Sequence, residues 1–149
     1  MQPQPATIVD ADAVLNCVEA AYQHYIERIG KPPGPMLDDY ADLIEKHHVW
    51  VLKQDEQVIA SLVLIKKRTW LLLDNVAVHP SFQGRGLGKQ LCLFAESQGR
   101  EMGFSEIRLY THELMVENVA IYEKLGYQEF ERRHEYGYAR IYMRKSLAV

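Results

Sequence analysis

Cysteine is scarce in this chain of 149 residues, which carries two, Cys17 and Cys92. They stand at no framework spacing and both fall inside helical patterns, so reduced thiols are expected rather than a disulfide scaffold. A basic excess is missing as well. Seventeen Lys and Arg against 20 Asp and Glu leave a net charge of −3, which argues against a nucleic-acid partner, since such partners select a strongly basic face. No apolar run approaches the length of a membrane span, and Met1-Gln2-Pro3-Gln4-Pro5 has neither the basic nor the apolar stretch of a secretory leader. The expectation is a cytoplasmic protein with no membrane partner. Six histidines supply no metal site by spacing. His47 and His48 are adjacent, and His24, His79, His112 and His134 stand far apart with no H-x-x-x-H pair or cysteine knuckle. Internal repeats and low-complexity tracts are absent.

What is present is an ordinary globular composition, 48% hydrophobic and 25% charged, long enough for a single domain over residues 1–149 with one core. Thr7-Ile8-Val9 reads as a short strand. Val14, Cys17, Val18, Ala21, Tyr22, Tyr25 and Ile29 recur at helical spacing, predicting one helix from about Asp12 to Arg28, stopped by Gly30 and the proline run that follows. A second helix is expected near residues 39–45. Residues 49–53 and 58–66 read as a hairpin around a polar turn, and 70–78 as the next strand. A long helix then follows from Gly86 to about Met102, a strand over 106–111, a helix over 116–125, and a last hairpin of 127–134 and 138–146. The order β-α-α-β-β-β-α-β-α-β-β means an α/β fold with a mixed sheet, antiparallel first and parallel where a helix intervenes.

The most informative segment lies between the third long strand and the long helix. Gln83-Gly84-Arg85-Gly86-Leu87-Gly88-Lys89 makes a strand feed a glycine-rich turn into a helix N-terminus, where unpaired N–H groups and the helix dipole favour a phosphate or pyrophosphate. Gly84, Gly86 and Gly88 permit close approach, and Arg85 and Lys89 add positive charge. The dinucleotide pattern G-x-G-x-x-G demands glycine where Lys89 stands, and the P-loop pattern demands glycine at Gln83 and a hydroxyl at Gln90.

The pattern that does fit is Q-x-x-G-x-G, on Gln83, Gly86 and Gly88, and here the chain resembles the GNAT superfamily of acyl-CoA-dependent N-acetyltransferases. Asn118-Val119-Ala120-Ile121-Tyr122-Glu123-Lys124-Leu125-Gly126-Tyr127 is similar to that family's N-x-x-A/I-x-x-Y-x-K-x-G-F/Y, with the tyrosine two positions closer to the asparagine. The resemblance extends from about Ala6 to Leu147. It implies a GNAT-like mixed sheet whose strands four and five splay apart, with the pantetheine arm of acetyl-CoA in the gap on the backbone of Val76, Ala77 and Val78. The pyrophosphate would take the N–H groups from Gly84 to Lys89, Leu87 included.

Tyr122 is the candidate general acid, because a phenol is protonated at neutral pH and can protonate a departing thiolate. Asn118, one turn earlier, is a candidate for bonding the pantetheine amides. For the general base the residues leave several readings open: Asp74, the His112-Glu113 and His134-Glu135 pairs, or a water relayed to backbone carbonyls. In such folds the acceptor pocket is formed by the connection between the first two helices and by the last hairpin, which here gives Tyr25, Glu27, Met36, His112, Glu135 and Tyr136 as lining candidates. Among the acidic residues, Glu27, Asp38, Asp39 and Glu135 would attract a cationic amine. The expected reaction is acetyl transfer from acetyl-CoA to a primary amine by direct attack in a ternary complex, with no metal. A homodimer across the last hairpin's edge is a further expectation. The alternative is a non-catalytic acyl-CoA-binding or sensing module, which would need Gly86 and Gly88 but not Tyr122.

Overall fold

The computed structural model describes residues 1–148. Its strands are β1 (Gln4–Pro5), β2 (Val49–Gln54), β3 (Gln57–Lys66), β4 (Leu71–Val78), β5 (Glu106–His112), β6 (Gln128–Glu135) and β7 (Tyr138–Ser146), and its helices α1 (Ala11–Tyr22), α2 (Tyr25–Ile29), α3 (Tyr40–Glu45), α4 (Leu87–Glu101) and α5 (Val116–Lys124). The strands form a mixed sheet in the order β1-β2-β3-β4-β5-β7-β6. β4 and β5 run parallel, as a crossover through α4 requires, and the remaining registered pairs are antiparallel. The α/β class and the mixed sheet thus follow the sequence reading. The chain divides into two compact units, Met1–Leu64 with Asn75–Ala95, and Ile65–Asp74 with the chain from Glu96 onward.

In the first unit the expected strand at Thr7–Val9 is a 3₁₀ turn over Ile8–Asp10, and the strand pairing falls at Gln4–Pro5 instead. The reason is local. Ile8 and Val9 are 52% and 85% exposed, so their β-branched side chains have nothing to bury, while the Thr7 amide and hydroxyl both donate to the Asp10 carboxylate at 2.8 and 3.2 Å and close the turn. The single helix expected over 12–28 is two, because after Tyr22 the bonding tightens: the Ile26 amide reaches back only to Gln23, at 3.1 Å. The β2–β3 hairpin turns on Asp55 and Glu56, both left-handed at φ 51° and 66°. Val14, Val18, Val51, Leu52, Ile59, Leu62 and Leu91 are fully buried in this unit, each contributing roughly 1.5–3 kcal/mol.

In the second unit, β4 and β5 pair over Leu71–Leu73 and Ile107–Leu109, and the ladder ends there although β5 continues to His112. β5 then pairs with β7 along its whole length, and β7 with β6 through a bulge at Glu129/Glu131 and a turn at Tyr136-Gly137. Leu71, Leu73, Ile107, Leu109 and Met143 form the buried side. The C-terminal cap of α5 is tied down by Lys145, whose ammonium donates to the Leu125 carbonyl at 2.6 Å and pairs with Glu96 at 2.9 Å. The Glu96 side chain is 3% exposed, so Lys145 neutralises a buried anion and a helix C-terminus together.

Candidate active site

The glycine turn is built as the sequence suggests. Gly84 and Gly86 sit at φ +80° and +78°, and a Cβ at either would meet nothing within 4 Å, so the turn faces open space. At Gly88 a Cβ would touch Val78 at an ordinary 3.7 Å. The first bond of α4 runs from the Gln90 amide to the Gly86 carbonyl at 3.0 Å. Among the described residues, the N–H groups of Gly84 through Lys89 meet no protein acceptor. Six such donors at a helix start suit an anion. The Arg85 guanidinium lies 5.0 Å from the Phe82 ring, exposed at the same turn.

Two side chains fasten this turn and its strand. The Gln83 amide donates to the Val78 carbonyl at 3.1 Å, and the Tyr22 hydroxyl donates to the Val76 carbonyl at 2.8 Å. The His79 amide bonds the Ile59 carbonyl on β3 at 2.9 Å, so the period-two alternation of a strand turns the amide groups of Val76 and Val78 away from β3. Gln83 and Tyr22 therefore satisfy carbonyls on the edge of β4 that β3 does not use. On the same strand, the buried Asn75 donates to the Tyr40 hydroxyl at 3.3 Å, and Tyr40 donates to the Pro35 carbonyl at 2.6 Å. That relay pins the proline-rich connection to β4. Of the acceptor candidates in this unit, Tyr25 is buried under His24, with ring centroids 3.9 Å apart, and under the Arg28 guanidinium at 5.1 Å. Glu27 is exposed on α2, and Met36 is half-buried in the 3₁₀ turn Gly34–Leu37.

In the second unit Tyr122 is 8% exposed on α5, and its ring stands 5.9 Å from that of Tyr127. The Tyr127 amide bonds the Tyr122 carbonyl at 3.0 Å, closing the helix end. Asn118 lies inside the first turn, its amide bonding the Met115 carbonyl at 3.0 Å, and Met115 occupies the N-cap position. Asp74 accepts from the Tyr110 hydroxyl at 3.3 Å. His112 accepts the Leu114 amide at Nδ1, 3.1 Å, and its ring lies 6.1 Å from Tyr138. Glu135 is an anchored anion: it pairs with Arg140 at 3.1 Å and also accepts from the Tyr142 hydroxyl. Tyr136 is 84% exposed at the hairpin tip, 5.5 Å from the Arg140 guanidinium.

Sequence reasoning missed Tyr22, Tyr40, Tyr110 and Arg140. Tyr110 and His112 alternate on one face of β5, opposite Tyr142 and Arg140 of β7. The period-two spacing is readable in the sequence, but the register that brings Arg140 to it is not. Burial pushes the Cys17 thiol up to about 11, against a backbone hydrogen bond from His79, which leaves it no thiolate for nucleophilic chemistry. Among the described residues no group of three His, Cys, Asp or Glu side chains stands ready to hold a metal ion. No helix among them is long and apolar enough to cross a membrane.

A family model described as an acetyltransferase (GNAT) domain matches residues 45–129. The N-acetyltransferase YjgM of Escherichia coli strain K12 is 27% identical over 124 residues, covering 79% of this chain and 74% of that protein. The backbone follows the PaiA N-acetyltransferase of Thermoplasma acidophilum, solved in complex with coenzyme A, with a TM-score of 0.82 at 17% identity over 97% of this chain and 98% of the other. It also follows the ribosomal-protein-S18-alanine N-acetyltransferase of Escherichia coli, with a TM-score of 0.80 at 20% identity over 99% of this chain and 94% of the other.

Proposed function

Because the chain belongs to the GNAT acetyltransferase family, we propose that it is an N-acetyltransferase that moves the acetyl group of acetyl-CoA to a primary amine, on a small molecule or a peptide, by direct attack. The observation that carries this reading is the run of six unpaired N–H donors from Gly84 to Lys89 on a turn with open space at Gly84 and Gly86. Donors in that number at a helix start fit a pyrophosphate. Acetyl-CoA supplies an activated thioester, and the rest falls to this chain. Val76 and Val78, on either side of Ala77, offer their backbone amides to the pantetheine arm, with Asn118 a further partner. Arg85 and Lys89 screen the phosphate charge. Tyr122 holds a proton at its phenol oxygen at neutral pH and gives it to the leaving thiolate. Asp74 takes the proton that the amine releases.

Tyr25, Glu27, Met36, His112, Glu135 and Tyr136 are the proposed acceptor contacts, with Glu135 acting through its Arg140 pair rather than as a bare charge. The buried thiols Cys17 and Cys92 support a cytoplasmic location, and the terminal position of β6 in the sheet order supports pairing of two copies there. The testing experiment is a thiol-release assay with acetyl-CoA over a panel of spermidine, tyramine and an alanine-headed peptide, with the acetylated product weighed by mass spectrometry. Amine-dependent release with a monoacetylated product is expected. Acetyl-CoA binding with no release on any amine would favour the sensing module.

A further inference from the structure

Asp74 does not stand alone. The Tyr110 hydroxyl donates to its Oδ1 at 3.3 Å, and the Tyr110 ring is fixed on two other sides. The Arg140 guanidinium lies 4.4 Å from the ring centroid, and the Tyr142 ring packs at 5.6 Å with a 41° tilt. Arg140 is held in turn by Glu135 at 3.1 Å, with the two side chains 15% and 24% exposed. A half-buried line of contacts thus runs Glu135, Arg140, Tyr110, Asp74 across β6, β7, β5 and β4. A cation over a phenol ring draws electron density from it and strengthens its O–H as a donor.

We infer that Tyr110 is a positioning residue for Asp74: its hydroxyl orients the carboxylate and keeps it ionised, and Arg140 sharpens that bond through the ring. The inference rests on the proposed role of Asp74 as base. In the step concerned, an N–H bond of the acceptor ammonium breaks, an O–H bond forms on the Asp74 carboxylate, and no electrons are exchanged. A donor that bonds the charged form favours it, so loss of the Tyr110 hydroxyl makes the carboxylate accept a proton at higher pH. The charged and titratable groups around this point are Arg108 and His112, which share the Tyr110 face of β5, Arg140 and Tyr142 on β7, and Arg133 and Glu135 on β6. Arg140 and Glu135 compensate each other, and the Tyr110 hydroxyl bonds the Asp74 carboxylate directly.

The test uses the full chain labelled with ¹³C at aspartate carboxyls, titrated by NMR without any substrate, the Asp74 signal being the one lost in Asp74→Asn. Tyr110→Phe keeps the ring and its packing, and it should raise the Asp74 titration midpoint by roughly half a pH unit or more. Arg140→Gln should raise it by less. The acid limb of kcat/KM, measured with whichever panel amine the thiol-release assay returns, should move the same way while acetyl-CoA affinity stays within about twofold. An unmoved midpoint in folded Tyr110→Phe overturns the inference, even where Asp74→Asn is inactive and the base reading stands. Normal turnover by Asp74→Asn overturns the base reading, and with it any catalytic meaning of the Tyr110 bond.

Discussion

The Tyr22 hydroxyl reaches the Val76 carbonyl at 2.8 Å, tying the end of α1 to the edge of the strand that leads into the glycine turn. This carbonyl points away from β3, and the Tyr22 hydroxyl is the donor that satisfies it. Leaving a polar group without its partner costs about 1–3 kcal/mol where water is scarce. Tyr22 is 6% exposed. Tyr22→Phe should lower unfolding stability by about 1–2 kcal/mol with an unchanged urea m value, read by urea denaturation. An unchanged midpoint would mean that water replaces the hydroxyl at no cost.

The Glu96–Lys145 pair makes a sharper stability prediction. Lys145→Met leaves a 3% exposed carboxylate with the longer Arg100 contact at 3.5 Å and releases the Leu125 carbonyl, which should cost about 1–3 kcal/mol. The double change Glu96→Leu with Lys145→Met removes the buried charge with its partner and should lie closer to the wild type than Lys145→Met alone. Thermal unfolding of the three variants checks the order.

Acid should weaken the first unit through Asp10. Burial opposes ionisation of its carboxyl, but the Thr7 backbone and Lys53, at 3.0 Å, outweigh it and hold the carboxyl below its ordinary 3.8. A carboxyl held low when folded binds its proton more readily once unfolded, so this contribution is complete above the ordinary value and is lost as pH falls through the folded one. Asp10→Asn should flatten the fall of stability below about pH 4 relative to the wild type. A difference appearing only at alkaline pH would contradict the assignment.

The long elements were legible because burial enforces their period. β4 alternates buried and half-buried residues without a break, and the hairpin turns fall where the sequence is polar or glycine-bearing. Thr7-Ile8-Val9 misleads because β-branched residues suit strands only when a neighbour covers them, and here Asp10 bonds back to Thr7 instead. The glycine turn was readable since its conformation is local. The Tyr110–Asp74 and Tyr22–Val76 contacts were not, as they join residues 36 and 54 positions apart through a register that no local pattern encodes.

Tyr122→Phe separates proton donation from packing. The ring still meets Tyr127 at the end of α5, so stability and acetyl-CoA affinity should hold within about twofold while kcat falls by roughly a hundredfold, the usual size of a general-acid contribution. The loss should shrink for an acyl donor with a more acidic leaving thiol. Steady-state kinetics on an accepted amine decides, and unchanged kcat would reduce Tyr122 to a packing residue.

Calorimetric titration of acetyl-CoA into the wild type, Gly86→Asn and Gly86→Val tests the cradle most directly. Gly86 sits at φ +78° on a turn open to solvent, a conformation that asparagine tolerates and valine resists. Gly86→Val should bind at least tenfold more weakly, about 1.4 kcal/mol, with the protein still folded by circular dichroism, and Gly86→Asn should lose less. Equal affinity in all three folded proteins would contradict the placement of acetyl-CoA on the Gly84–Lys89 turn.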